Sequence, residues 1–322
     1  MSEARIVVAC FGGEAEVRTA GGQTAARRAA RWLERIHAGL TRFEPGSELS
    51  RLNADARSAV PASPLLLALA RAVGLAGELS GGLVDATRLS ALEAAGYARS
   101  REPAPPDALA AALARAPTTA PARPDPEGRW RLVTTDASGR VRRPPGVRLD
   151  GGGLVKGLAA DLLAGDLARH GAYAVDCGGD LRVGGAPRRL LVADPFGGEP
   201  VHELTLAQAA ATSGIGRRAW RDGGGRPAHH LVDPATGRPA WTGVVQATAL
   251  APTALEAEIR AKAALLSGPD RARDWLPDGG VLVGEDGGFE VVAPAQRERT
   301  TRTSSGASVT CAPGPAVRAV SR

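Results

Sequence analysis

Residues 149–167 read LDGGGLVKGLAADLLAGDL, three consecutive glycines running straight into a leucine-rich segment. Leu154, Leu158, Leu162, Leu163 and Leu167 recur at helical spacing, which predicts a helix with one buried face. A glycine turn that feeds a helix exposes backbone N–H groups at the positive end of the helix dipole, a setting that suits phosphate. Lys156 falls in the first turn and adds a full positive charge. The same turn also fits a pure packing role, since neither the dinucleotide-binding nor the Walker glycine pattern is present.

Outward from this stretch the chain alternates irregularly between strands and helices. Upstream, residues 5–17 alternate around Gly12-Gly13 and read as a strand. Trp32, Leu33, Ile36 and Leu40 mark a helix over 23–40, and Pro64 opens a second that runs to about residue 79. Residues 100–128 are Pro-rich and predict a loop with at most one short helix. Segments 130–135 and 141–143 read as a hairpin. Downstream, short strands are expected at 173–177, 189–193, 202–206, 244–250, 280–283 and 289–292, with one helix over 253–267. This order predicts an α+β fold, with mixed or antiparallel sheets flanked by helices, and not a doubly wound sheet. One domain is expected over 1–294. Residues 295–322 are rich in Arg, Ser, Thr, Gly and Pro and read as a disordered tail.

Composition narrows the function. Forty basic and 34 acidic residues leave a net charge of +6, and the only lysines are Lys156 and Lys262. The arginine pairs are scattered and interleaved with acids, which argues against a nucleic-acid face. No uninterrupted apolar run reaches the ~18 residues of a membrane-spanning helix. No signal peptide or lipobox is seen, and three scattered cysteines suit a reduced compartment, so a cytoplasmic location is expected.

Further clusters carry chemistry. Thr212-Ser213-Gly214 offers two hydroxyls, and His229-His230 precede an Asp233-Pro234 and Thr236-Gly237 turn. A histidine held there can serve as a general base. Cys177-Gly178-Gly179-Asp180 ends a strand in a way that permits close approach by a ligand or by another backbone. Glu258 and Lys262 lie one helical turn apart, as a simple salt bridge or as the place of a carboxylate ligand for Mg²⁺.

Taken in order, these blocks resemble the FAD:protein FMN transferases of the ApbE family, over most of residues 9–293. Phe11-Gly12-Gly13 stands where that family has Met-Gly-Thr. Ser47 to Asn53 is similar to its Ser-x-x-Ser-x-x-Asn segment, and Gly82 to Thr87 to its Gly-x-x-Asp-Pro-Thr segment, with Ala86 for Pro. Asp150 to Gly157, Gly178-Gly179-Asp180 and Thr212-Ser213-Gly214 match further blocks, and His230 to Gly237 matches His-x-x-Asp-Pro-x-Thr-Gly.

The resemblance implies an FAD cleft between strand-rich halves, with Mg²⁺ on the pyrophosphate. It implies that a Ser or Thr hydroxyl of a target protein attacks the phosphorus on the FMN side and that AMP leaves. By position, His230 is the base and Asp233 fixes its turn. Gly152, Gly153 and Lys156 meet the nucleotide, and Asn53, Asp85, Thr87, Asp180, Thr212 and Ser213 line the pocket. The Val155 carbonyl is a metal ligand. The family's Ala-Asp-x-x-x-Thr metal pair is replaced by Glu258 and Lys262, and an ammonium has no lone pair to give a metal. Two outcomes follow: either Lys262 partly replaces the cation, or the protein binds or hydrolyses FAD with little or no transfer. The implied partner is an acceptor protein with a Ser/Thr-Gly-Ala-Thr/Ser motif. Ser304 to Ser308 in the tail is similar to that motif, which makes Ser308 a candidate self-acceptor.

Overall fold

The computed structural model describes residues 3–105, 107–295 and 317–319. Eight strands form the central sheet: β1 (Ala4–Cys10), β2 (Gly13–Thr19), β3 (Tyr173–Asp176), β4 (Asp180–Gly184), β5 (Ala209–Gly214), β6 (Val244–Ala251), β7 (Gly280–Gly284) and β8 (Phe289–Val292). Their order across the sheet is their order along the chain, and every neighbouring pair is antiparallel. The sheet is therefore a meander into which helices and smaller sheets are inserted.

There are four longer helices, α1 (Gly22–Leu40), α2 (Pro64–Ser80), α3 (Val155–Leu167) and α4 (Ala254–Ser267); α1, α3 and α4 pack on the sheet, and α2 packs on these helices. Along α1 the buried residues are Ala25, Ala26, Ala29, Ala30, Leu33, Ile36 and Leu40, a stripe at helical spacing whose alanines allow close approach to β1 and β2. Ser63 caps α2, its hydroxyl accepting the Leu66 N–H at 3.3 Å, with Pro64 at the first position. Gly81 ends α2 in the left-handed region at φ 61°.

The contact between α3 and α4 positions the site. Asp161 on α3 accepts the N–H groups of Ala254 and Leu255, both at 2.9 Å, so it satisfies two donors that the first turn of α4 leaves free. At Gly157 the helices touch backbone to backbone, where a Cβ would stand 2.7 Å from the Ala254 carbonyl oxygen. Around them Leu33, Ile36, Leu154, Leu163, Leu167 and Ile259 form the largest buried cluster. Each such side chain contributes about 1.5–3 kcal/mol by leaving water.

Several expectations change. Residues 5–17 are not one strand but the hairpin of β1 and β2, turning at Phe11 and Gly12, whose φ angles of 55° and 72° are both left-handed. Trp130 belongs to the 3-10 turn Arg129–Leu132, and the hairpin strands shrink to Thr134–Thr135 and Arg140–Arg142. Leu162 is 37% exposed, so it lies outside the buried face of α3. Strands β4 and β5 escaped detection. The run Ala209-Ala210-Ala211 favours helix in isolation, but β4 and β6 pair with it on both sides. Residues 296–316 and 320–322 of the expected tail, Ser308 among them, lie outside the described residues. Val317–Ala319 is a strand, pairing in parallel with Arg188–Val192. Among the described residues no helix is long and apolar enough to cross a membrane.

Candidate active site

One cavity gathers segments far apart in sequence. Its wall includes the β1–β2 turn, the glycine run at 151–153 with Val155 and Lys156, the end of β5, the segment around His230, and Lys262 from α4. Its interior of about 330 Å³ is within the range of small-molecule sites. Both lysines of the chain face it.

The two lysines sit in a buried four-charge cluster. Lys156 Nζ is 2.7 Å from Asp180 Oδ2, and Lys262 Nζ donates to Glu258 Oε1 at 2.9 Å. The other Glu258 oxygen accepts the Gly157 N–H at 3.0 Å, so both of its oxygens are engaged. Glu258 is fully buried, and the Lys262 side chain is 10% exposed. Burial disfavours the Glu258 carboxylate, but Lys262 and Lys156 outweigh it and hold the group below its ordinary value. Burial also opposes the Lys156 ammonium, yet Asp180 and Glu258 raise it above its usual value. Asp180 goes the other way: burial and the Glu258 charge push its carboxyl up to about 7.

His230 forms part of the wall. Burial, then the nearby His229, Lys262, Arg218 and Lys156, keep its ring neutral far below the usual histidine range. Its Nδ1 is buried without a hydrogen-bond partner. A neutral ring with a free nitrogen is chemically a proton acceptor. Asp233 does not line the cavity, although its neighbours Val232 and Pro234 do. Its carboxylate accepts the N–H groups of Arg123 and Ala235 and the Thr236 hydroxyl, so it holds the turn and not the imidazole.

Of the residues expected in the pocket, Asp85, Gly152, Gly153, Lys156, Thr212 and Ser213 line it. Asn53, Thr87, Asp180 and Glu258 do not. The Asn53 amide bonds both the N–H and C=O of Leu149, at 2.7 and 2.8 Å, and so anchors the segment before Asp150. Thr87 donates to Asp85 Oδ1 at 2.6 Å and fixes that carboxylate. Asp180 and Glu258 act from behind, through the lysines.

The structure adds residues that the sequence did not single out. Tyr97 stacks on Trp220 with ring centroids 5.3 Å apart, and the Arg42 guanidinium lies 4.2 Å from the Phe43 ring centre and 5.0 Å from that of Tyr97. Tyr97, Phe43 and Arg42 line the cavity, the two rings meeting edge to face at 69°, and form an aromatic and cationic wall. Arg42 is also paired with Asp150 at 2.8 Å. Arg217 and Arg218, one of the scattered pairs, lie on the wall too, and Arg218 donates to the Gly12 carbonyl at 2.6 Å. Tyr97 is one of only two tyrosines in the chain, which was a compositional signal.

The model of the ApbE family matches residues 6–282. The chain belongs to the ApbE family. The FAD:protein FMN transferase of Klebsiella pneumoniae (strain 342) is 28% identical over 260 residues, covering 76% of this chain and 71% of that protein. The one from Treponema pallidum (strain Nichols) is 30% identical over 254 residues, covering 70% and 66%. The match to the Rhodobacter capsulatus protein, 34% identical over 139 residues, spans only 26% of that relative's length. Among solved structures, the ApbE protein of Thermotoga maritima superimposes with a TM-score of 0.73 at 25% identity, covering 90% of this chain and 97% of that one. The apo form of the Pseudomonas stutzeri flavinyl transferase ApbE gives 0.70 at 20% identity and supports the ApbE fold.

Proposed function

We propose that this protein is an FAD:protein FMN transferase. The observation that carries the reading is one cavity holding a glycine turn with Lys156, a neutral His230 and a Tyr97–Arg42 wall. The turn and the ammonium suit the pyrophosphate, and the aromatic and cationic wall suits a heteroaromatic ring. The incoming group is a Ser or Thr hydroxyl of an acceptor protein, in a Ser/Thr-Gly-Ala-Thr/Ser setting. Its oxygen bonds to the phosphorus of the FMN half as the bond to the AMP phosphate oxygen breaks. The hydroxyl proton passes to His230, and AMP leaves with the bonding pair. His230 then returns its proton to solvent. Asp233 serves by holding the turn that carries His230.

The Mg²⁺ expected from the family does not fit the residues present. Among the described residues no group of three or more His, Cys, Asp or Glu side chains is arranged to hold a metal ion. Glu258 has both oxygens engaged, and Lys262 brings an ammonium to the position of the second ligand.

The same pairing favours a second reading, an FAD-binding or FAD-hydrolysing protein that transfers little. Incubation with FAD and a Ser-Gly-Ala-Thr peptide, read by flavin fluorescence and intact mass, separates the two. An FMN-sized addition to the peptide that is lost in His230→Ala supports transfer. Bound FAD or free FMN with an unmodified peptide supports the second reading.

A further inference from the structure

We propose that the Lys262 ammonium is a built-in cation that meets the pyrophosphate of the bound dinucleotide where a divalent ion would otherwise be needed. The inference rests on the flavin-dinucleotide reading of the cavity and names the cation at that site.

Three observations carry it. Lys262 lies on the cavity wall beside the glycine turn and Lys156, where two linked phosphates would sit. Its stem passes over Gly153, where a Cβ would come within 3.1 Å of Lys262 Cε, so the bare glycine makes room for the lysine. Glu258 fixes the ammonium from behind with one oxygen and is itself fixed by the Gly157 N–H through the other. An ammonium carries three donors, and the bond to Glu258 uses one of them.

Charge arithmetic shows what this exchange means. Lys156 and Lys262 bring two positive charges, and Asp180 and Glu258 bring two negative ones, so the ionised cluster sums to zero. A divalent ion in place of the ammonium would leave it at +1. The remaining neutralisation of a pyrophosphate then falls to the cavity's arginines, Arg42, Arg88, Arg217 and Arg218. A fixed ammonium needs no free metal, so binding and turnover should not respond to chelators.

The test is an FAD titration of the full chain, followed by flavin fluorescence, with excess MgCl₂ or with EDTA. Wild-type affinity should differ by less than about twofold between the two. Lys262→Met should weaken FAD by roughly 10- to 100-fold, the size of one charge-assisted contact, with no recovery in Mg²⁺. Lys262→Arg, which keeps the cation, should stay within about threefold of wild type. The pair Glu258→Asp with Lys262→Thr should make FAD affinity depend on Mg²⁺ by about tenfold or more. Thermal melting of each variant checks its fold, and the Arg and paired variants decide the matter if the Met variant does not fold. The proposal is overturned if wild-type affinity collapses in EDTA and returns with Mg²⁺, or if Lys262→Met binds like wild type. FAD binding that ignores EDTA without FMN transfer to the peptide supports the cation and removes only the transferase reading. No FAD binding in either condition overturns both.

Discussion

Replacing Gly157 with alanine would place a methyl group 2.7 Å from the Ala254 carbonyl oxygen and 2.8 Å from Leu255 Cα. Both obstacles are backbone, held by Asp161 across the same junction, so no side-chain rotation relieves the clash. Helices α3 and α4 must therefore separate. Overpacking of this kind costs about 1–3 kcal/mol. Separation also stretches the Gly157 N–H bond to Glu258, and a hydrogen bond to a charged group contributes about 1.5–3 kcal/mol. Alanine's better helix propensity returns ~1 kcal/mol. The net loss is roughly 2–5 kcal/mol, which lowers the melting temperature by roughly 3–8 °C for a domain of this size. FAD affinity should fall as well, because Glu258 positions Lys262 and lies within the field of Lys156. Gly165 on the same helix is the control. It is exposed, with nothing within 4 Å of an added Cβ, so Gly165→Ala should gain about 0.5–1 kcal/mol. Circular-dichroism melting and FAD titration of both variants provide the measurement. A Gly157→Ala protein that melts within about 2 °C of wild type and binds FAD normally would refute the account of this junction.

His230→Ala should lower the transfer rate by roughly 10²- to 10⁴-fold while leaving FAD binding nearly intact, as a titration alongside the peptide assay would show. Because His230 stays neutral far below the usual histidine range, the pH–rate profile should lack the fall near pH 6.5 that an ordinary histidine base would give; a limb there assigns the base elsewhere or shows the ring to be solvated. Burial of His229 pushes its pKa down to about 3, from the ordinary histidine value of 6.5. The unfolded chain therefore binds the extra proton between those values, so this contribution to stability is intact above pH 6.5 and lost as pH falls towards 3. Urea midpoints should drop across that window in wild type and less steeply in His229→Gln. Asn53→Ala removes both bonds to Leu149 and should cost about 1–3 kcal/mol, with weaker FAD binding because Asp150 follows directly. Equal urea midpoints and equal affinity would show that Asn53 does not anchor the turn.

The long elements were legible because their signals are local. The stripe of α1, the proline start of α2 and the glycine entry to α3 each depend on neighbours within a few residues. The same holds for the cavity residues Lys156, Thr212, Ser213 and His230, which lie in contiguous motifs. Strands β4 and β5 were hidden because pairing, not propensity, holds them. Asn53 and Thr87 sit in matching motifs yet act at one remove, and a motif does not reveal which way a side chain points.

By itself, the sequence determined the α+β class, the glycine turn with its lysine, the histidine at its Asp-Pro turn, and the placing of Glu258 one helical turn from Lys262. Those are matters of residue type and short spacing. Only the tertiary structure decided that both lysines face one cavity, that each is paired with a buried carboxylate, and that Tyr97, Phe43 and Arg42 meet at its wall. Asp180 and Lys156 are 2.7 Å apart across an antiparallel meander that brings distant segments together. Electrostatics acts through space, so the partner of each charge is fixed only when the sheet and the α3–α4 junction close.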